Sequence, residues 1–243
     1  MNTTSTLEQL KQLKLSGMLK CYQAITEQPV HQQPEPHLLI GMLVDAETQH
    51  RLVFRTELYL KLSKLRYAAL PEQVNCSDER GLPKAQFLQL SEGSFITQGD
   101  NILITGATGC GKSFLACALG RKACMLGNRV MYYSMNRFIE ALASARLEGT
   151  YIKWLNMLVR MPVLILDDFG LKELDHNALL ALLQILEDRY RKGSTIITSQ
   201  LPVSKWYEYI NEPTFADAIL DRLTAHAHKI ELKGKSLRNV TLD

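Results

Sequence analysis

Eight consecutive residues, Gly106-Ala107-Thr108-Gly109-Cys110-Gly111-Lys112-Ser113, have the types and spacing of a loop that wraps polyphosphate. In the pattern G-x-x-x-x-G-K-[ST], small residues let the backbone close around an anion with its N–H groups pointing inward. Lys112 would carry positive charge to the β- and γ-phosphates, and the Ser113 hydroxyl would join the shell of a Mg²⁺ ion. Ile102-Leu103-Ile104-Thr105 reads as a strand directly before the loop, and Phe114, Leu115, Ala118 and Leu119 as a helix directly after it. The helix adds its positive N-terminal end to the site. That context is what phosphate binding demands, and the reading is a nucleotide site.

A second group of residues complements the first. Val163-Leu164-Ile165-Leu166-Asp167-Asp168 is an apolar strand ending in two carboxylates. Asp167 stands where a Walker B aspartate holds the Mg²⁺ shell. Asp168 could take a proton from the attacking water as general base; its alternative is a cap or turn residue before Phe169-Gly170. No N-K-x-D guanine signature is present, so the nucleotide is read as ATP. In RecA-like ATPases the catalytic glutamate ends the strand beside the loop strand. The Arg129–Tyr133 strand ends instead in Ser134-Met135-Asn136, without a carboxylate. The base must then come from beside Asp167, as in the AAA+ arrangement.

Two further features fit that arrangement. Thr195-Ile196-Ile197-Thr198-Ser199-Gln200 is a strand ending in small polar residues, where AAA+ proteins place a sensor for the water. Ser199 is the first choice, with Thr198 or Gln200 as substitutes and a plain strand-end turn as the alternative. Ala218-Ile219-Leu220-Asp221-Arg222-Leu223 sets an arginine near a helix end before the last strand. An arginine finger there would reach a neighbouring subunit's γ-phosphate. Otherwise Arg222 is a solvated side chain paired with Asp221 or Asp217.

The elements that must hold these residues alternate from about residue 95 onward. Strands are expected at Asn101–Thr105, Arg129–Tyr133, Val163–Leu166, Thr195–Thr198 and Lys229–Leu232, with helices between. The clearest helix runs from an Asp175 N-cap through Leu179, Leu183, Leu186 and Tyr190 to a stop at Gly193. Parallel strands need crossover helices, so the expected fold is α/β: a five-stranded parallel sheet between helices over residues 95–243. After Leu232 only eleven residues remain, too few for the helical lid of full AAA+ proteins.

Residues 1–72 read as a small all-helical domain, a candidate for DNA binding or oligomerisation. Ser5-x-x-Glu8 resembles a capping box, and Leu15, Met18, Leu19 and Tyr22 mark one buried helical face. Gln28 to His37, with three prolines, reads as a linker. Leu38 to Leu70 is helical in pattern, with Phe54, Leu58, Leu62, Leu65 and Ala69 in one stripe and Pro71 as the stop. Residues 73–94 are expected to be a second linker.

Composition bounds the rest. With 46% hydrophobic and 22% charged residues the chain is an ordinary globular sequence, and a formal charge of +3 leaves a polyanionic partner open without requiring one. Five cysteines without C-x-x-C or zinc spacing, and no signal peptide, point to a reducing cytoplasm. No uncharged apolar run approaches the ~18 residues of a membrane span. Between Arg51 and Arg66 lie Arg51, Arg55, Lys61, Lys64 and Arg66 against one acid, Glu57. These could neutralise DNA phosphates or simply face solvent, since they spread around the helix. Lys233, Lys235 and Arg238 are a second, weaker candidate. Trp154 and Trp206 read as packing residues, His226 and His228 as solvated side chains, and Cys110 carries no assigned chemistry.

The phosphate loop, L-I-L-D-D-F-G (Leu164 to Gly170), the I-I-T-S-Q strand end and the D-R-L box together resemble the IstB-like ATP-binding proteins of insertion sequences, AAA+ relatives of the helicase loader DnaC. Leu13-Lys14-Leu15-Ser16-Gly17-Met18 fits that family's N-terminus. The resemblance implies a transposition helper that forms homo-oligomers with ATP on duplex DNA, engages a cognate transposase, and regulates the complex by hydrolysis. Its ATP sites would be completed between subunits. Two departures from the general pattern stand out. Asp167-Asp168 replaces the usual Asp-Glu, which implies slow intrinsic hydrolysis, and a lid-borne sensor is missing. A DnaC-like helicase loader, and a module that works by ATP occupancy alone, remain the alternatives. A small-molecule kinase is disfavoured, as no Arg-rich lid follows the core.

Overall fold

The computed structural model describes residues 3–234 together with 236 and 237. The Lys235 and Arg238 of the candidate basic tail lie outside the described residues. The chain divides into two compact units, Met1–Leu58 and Tyr59–Asp243.

The first unit contains α1 (Thr3–Gln12), α2 (Ser16–Thr26) and most of α3 (Pro36–Ser63). Ser5 sits inside α1, not at its cap. α2 is capped from a distance: Glu47 Oε2 on α3 accepts the backbone amides of Gly17 (2.7 Å) and Met18 (3.2 Å). The other oxygen, Oε1, accepts from Arg51 Nε at 2.7 Å. A carboxylate at a helix N-terminus satisfies amides that have no partner within the helix. Gly17 is required sterically, because a Cβ there would collide with the Ala46 carbonyl of α3. Lys14, at φ 57°, turns the chain between α1 and α2.

α3 stops at Ser63, seven residues short of the expected Leu70, and Lys64 turns the chain in the left-handed region at φ 56°. The proposed stripe therefore breaks up. Phe54, Leu58 and Leu62 are exposed, while Leu65 and Ala69 join the core of the second unit.

That core also takes in the segment expected to be a linker. Leu82, Phe87 and Leu90 are buried, the last two on α4 (Lys84–Ser91), and α5 (Ser94–Gln98) follows at once. Leu82 in the turn closed by its bridge to Ser77, and Phe87 and Leu90 three apart on α4, give residues 73–94 apolar side chains to bury.

The remaining elements alternate as expected: β1 (Asn101–Gly106), α6 (Lys112–Met125), β2 (Val130–Ser134), α7 (Met135–Leu147), α8 (Tyr151–Val159), β3 (Val163–Phe169), α9 (His176–Arg189), β4 (Ser194–Ser199), α10 (Trp206–Ile210), α11 (Pro213–Thr224) and β5 (Ala227–Leu232). The strands form one parallel sheet in the order β2-β3-β4-β1-β5. Alternate side chains enter opposite layers, as the strand period of two dictates. Val163 and Ile165 pack with α6, while Leu164 and Leu166 pack with α8 and α9. The Asp175 side chain caps α9 by accepting the Ala178 amide at 2.8 Å.

β4, not β2, lies beside β1, and β2 forms the sheet edge. β4 ends in Thr198-Ser199-Gln200, again without a carboxylate, so Asp168 stays the candidate base. Among the described residues, no helix is long and apolar enough to cross a membrane.

Candidate functional site

The site lies where β1, β3 and β4 end side by side, as expected for ligands of open α/β sheets. β1 hands the chain to the phosphate loop, and Gly111, the N-cap of α6, sits at φ 94°. Gly109, at φ 84°, also occupies the left-handed region that side chains disfavour. Lys112 is buried, and its Nζ donates to the carbonyls of Gly106 and Ala107, both at 2.9 Å. The ammonium is thus held over the loop it serves.

Asp167 is fully buried, with both oxygens occupied. Oδ1 accepts from the Ser113 hydroxyl at 2.8 Å and from the Thr198 hydroxyl. Oδ2 accepts from the Tyr132 phenol at 2.5 Å. Burial, then the bond to Asp167, pushes the Tyr132 phenol far above its ordinary pKa, so it remains a donor. The Ser113 hydroxyl lines the cavity as a hard oxygen of the kind Mg²⁺ takes, and the Asp167 carboxylate behind it is the acceptor that orients that hydroxyl.

Asp168 adopts φ 63°, rare for a residue with a side chain, beside a register shift between Leu166 and Phe169. The Thr198 hydroxyl accepts its backbone amide at 3.1 Å. This bend separates the two carboxylates, so that Asp167 faces the core while Asp168 lines the cavity. Burial, and next the neighbouring Asp167, push the Asp168 carboxyl above the usual carboxylate range; Arg66 and Lys112 pull it back. A raised carboxyl is a better proton acceptor than an ordinary one.

Ser199 and Thr198, the sensor candidates, meet different partners. Ser199 is buried, with its hydroxyl donating to the Phe169 carbonyl at 2.6 Å and accepting the Leu201 amide at 3.0 Å. It braces the loop after β4. The hydroxyl that meets Asp167 belongs to Thr198, whose side chain points to β3 instead. Gln200 Oε1 accepts from Thr108 of the phosphate loop at 2.8 Å.

Arg222 lies at the other end of the sheet, where its carbonyl accepts from Asn101 at the start of β1. Its guanidinium pairs with Glu187 at 2.7 Å and Asp221 at 3.1 Å. It does not join Lys112, Asp167 and Asp168 within one subunit.

A cavity of about 350 Å³ connects these parts, within the usual size for small-molecule sites. Its polar end holds Thr108, Lys112, Ser113 and Asp168, and its apolar end Val74, Leu82, Phe114 and Leu232. Two contributors were not anticipated from the sequence. Arg80 donates to the Cys110 carbonyl at 2.7 Å and to the Asn75 carbonyl, tying the loop to the cavity's apolar wall. Arg66, expected in a DNA-facing stretch, instead pairs with Asp168 at 3.3 Å. Arg51 is likewise engaged with Glu47, while Arg55, Lys61 and Lys64 make no ion pair among the described residues. Trp206 packs on Phe169 and Trp154 on Phe138. The Cys117 and Cys124 thiols are pushed up to about 11 by burial, which makes them inert.

Sheet order, phosphate loop and paired carboxylates define a P-loop ATP-binding protein with an AAA+-like fold. Residues 8–242 match the model of the family described as IstB-like ATP binding protein, and the chain belongs to that family. It is 45% identical over 233 residues to the insertion sequence ATP-binding protein y4pL of Sinorhizobium fredii, covering 96% of this chain and 95% of the relative. The insertion sequence IS21 ATP-binding protein of Pseudomonas aeruginosa is 29% identical over 229 residues, covering 94% of this chain and 86% of the relative. The fold resembles the crystal structure of the DnaC helicase loader, with TM-score 0.58, 21% identity and coverage of 70% of this chain and 99% of that one. It also resembles the replication initiator DnaA bound to AMPPCP and single-stranded DNA, with TM-score 0.59, 20% identity and coverage of 71% and 52%.

Proposed function

We propose that this chain is an ATPase that assists DNA transposition. In this reading it oligomerises with ATP on duplex DNA, recruits the transposase of its own insertion sequence, and uses hydrolysis to control that complex. Membership of a family of insertion-sequence ATP-binding proteins supports the setting. The single observation that carries the chemistry is that Ser113 and Asp168 line one phosphate cavity while Asp167, buried behind it, accepts from the Ser113 hydroxyl.

The residues have distinct roles. Backbone amides from Gly106 to Ser113 bind the phosphates, and Lys112 neutralises the β- and γ-groups. Ser113 and Asp167 would hold Mg²⁺, which when bound neutralises charge on the phosphates. Tyr132 and Thr198 fix the Asp167 carboxylate. Asp168 accepts a proton from water as the new oxygen–phosphorus bond forms and the bond to the ADP oxygen breaks. Thr198, through the Asp168 amide and the Asp167 carboxylate, takes the sensing role first assigned to Ser199. Arg222 is retained as a finger acting in trans, a role that requires it to exchange Glu187 for a neighbour's phosphate.

The distinguishing experiment is co-precipitation. The chain, loaded with ATP on duplex DNA, is offered the transposase encoded by the same insertion sequence and, separately, a replicative helicase. Capture of the transposase alone supports this reading, whereas capture of the helicase alone would replace it with a loader.

A further inference from the structure

Arg66 has no task in the phosphate chemistry, yet its guanidinium faces both carboxylates at the end of β3. Its Nη1 lies 3.3 Å from Asp168 Oδ2 and 3.6 Å from Asp167 Oδ2. Asp168 is a wall shared by two cavities. On one side is the phosphate cavity with Lys112 and Ser113. On the other is a cleft of about 370 Å³ bounded by Arg66, Tyr132, Asn136 and Arg137. Arg66 therefore approaches Asp168 from the face turned away from the phosphate loop, and acts on the carboxylate rather than on the nucleotide.

Two physical consequences follow. A carboxylate oxygen hydrogen-bonded to a guanidinium in one cleft is held there and is not free to meet a water on the phosphate side. A fixed cation near Asp167 also repels a divalent cation at the Ser113–Asp167 pair. The Arg66 side chain is 45% exposed, so the contact is weak enough to open and close during a catalytic cycle.

We propose that Arg66 is a cis-acting brake: it holds Asp168 on the face away from the phosphates and weakens the divalent-cation site, so that turnover needs its withdrawal. The proposal rests on Asp168 being the base of the reaction proposed above. Arg66 is in this sense a positioning residue, three residues beyond the end of α3.

The test compares wild type, Arg66→Ala and Arg66→Lys in two assays. The first is kcat at saturating ATP and Mg²⁺. The second is the Mg²⁺ midpoint for binding of a fluorescent ATP analogue, which needs no turnover. Arg66→Ala is expected to raise kcat about two- to fivefold, the range of one partly exposed ion pair, and to lower the Mg²⁺ midpoint. Arg66→Lys, which keeps the charge, should stay close to wild type in both. An Arg66→Ala protein that binds the analogue but shows wild-type or slower turnover, with an unshifted Mg²⁺ midpoint, overturns the brake. If no variant hydrolyses ATP, the reaction proposed above fails, and the Mg²⁺ midpoint alone decides the role of Arg66. Should Arg66→Ala not fold, Arg66→Gln, which keeps the side-chain length, is read in the same way.

Discussion

The Thr198 hydroxyl donates to Asp167 Oδ1, the same oxygen that accepts from Ser113. Through its acceptance of the Asp168 amide, one threonine thus positions both carboxylates of the site. Thr198→Val preserves shape and removes both bonds. It should lower kcat about 10- to 100-fold, as loss of an outer-shell partner does, while the protein still binds nucleotide. Ser199→Ala removes the brace to Phe169 and Leu201 and should cost about 1–3 kcal/mol of stability. Its kcat per folded molecule should stay within a few-fold of wild type. Comparing kcat with a thermal melt for both variants separates the roles, and the opposite pattern would return the sensing hydroxyl to Ser199.

Much of this arrangement is legible in the sequence, for physical reasons that can be named. The loop from Gly106 to Ser113 and the run ending in Asp167 announce themselves because backbone wrapping and metal binding tolerate few residue types. The five strands are legible because buried parallel strands are short apolar runs. What escaped are contacts between residues distant in sequence. Arg66 and Asp168 are 102 positions apart, and nothing near Arg66 marks it as facing a carboxylate. The end of α3 is not legible because Leu65 and Ala69 keep helical spacing with Leu62, although the Lys64 turn sends them into another core. Which of Thr198 and Ser199 meets Asp167 is not legible in the sequence: adjacent strand residues face opposite sides, and only the register with β3 sets it.

Arg222 pairs with Glu187 and Asp221 inside its own subunit, at the sheet end remote from the phosphate loop. If it serves a neighbour, Arg222→Ala leaves nucleotide affinity unchanged. Turnover should fall in mixed assemblies in proportion to the mutant fraction at interfaces. Titrating mutant into wild type at constant total protein and following ATP hydrolysis checks this. Turnover by the pure mutant equal to wild type would make Arg222 a surface ion-pair residue.

Arg189 is buried and has no acidic partner among the described residues. It donates to the carbonyls of Leu158 (2.9 Å), Met161 (2.5 Å) and Ser194 (2.5 Å), and burial pushes its pKa down to about 10. It ties the end of α8 to the start of β4. Arg189→Met fills much of the volume yet leaves those carbonyls without a donor, and should destabilise the protein by about 3 kcal/mol or more. Chemical denaturation monitored by tryptophan fluorescence measures the loss.

Glu47 provides the pH-dependent element. Its bond to Arg51, followed by the Gly17 and Met18 amides acting against burial, holds the carboxyl below its ordinary value of 4.5. A group with a depressed folded pKa stabilises the native state above its unfolded pKa, and that stabilisation is lost as pH falls through the folded value. The Tm difference between wild type and Glu47→Gln should therefore be full above about pH 5 and shrink below pH 4. A difference independent of pH would show that the charge of Glu47 is not what caps α2.

In the proposed function, ATP held by the loop around Lys112 drives assembly of this chain on duplex DNA. Sedimentation of wild type and Lys112→Ala, with and without ATP, on duplex and single-stranded DNA at one salt concentration, tests it most directly. Large particles are expected only for wild type with ATP on duplex. Equal assembly by Lys112→Ala, or wild-type assembly confined to single strands, would contradict it.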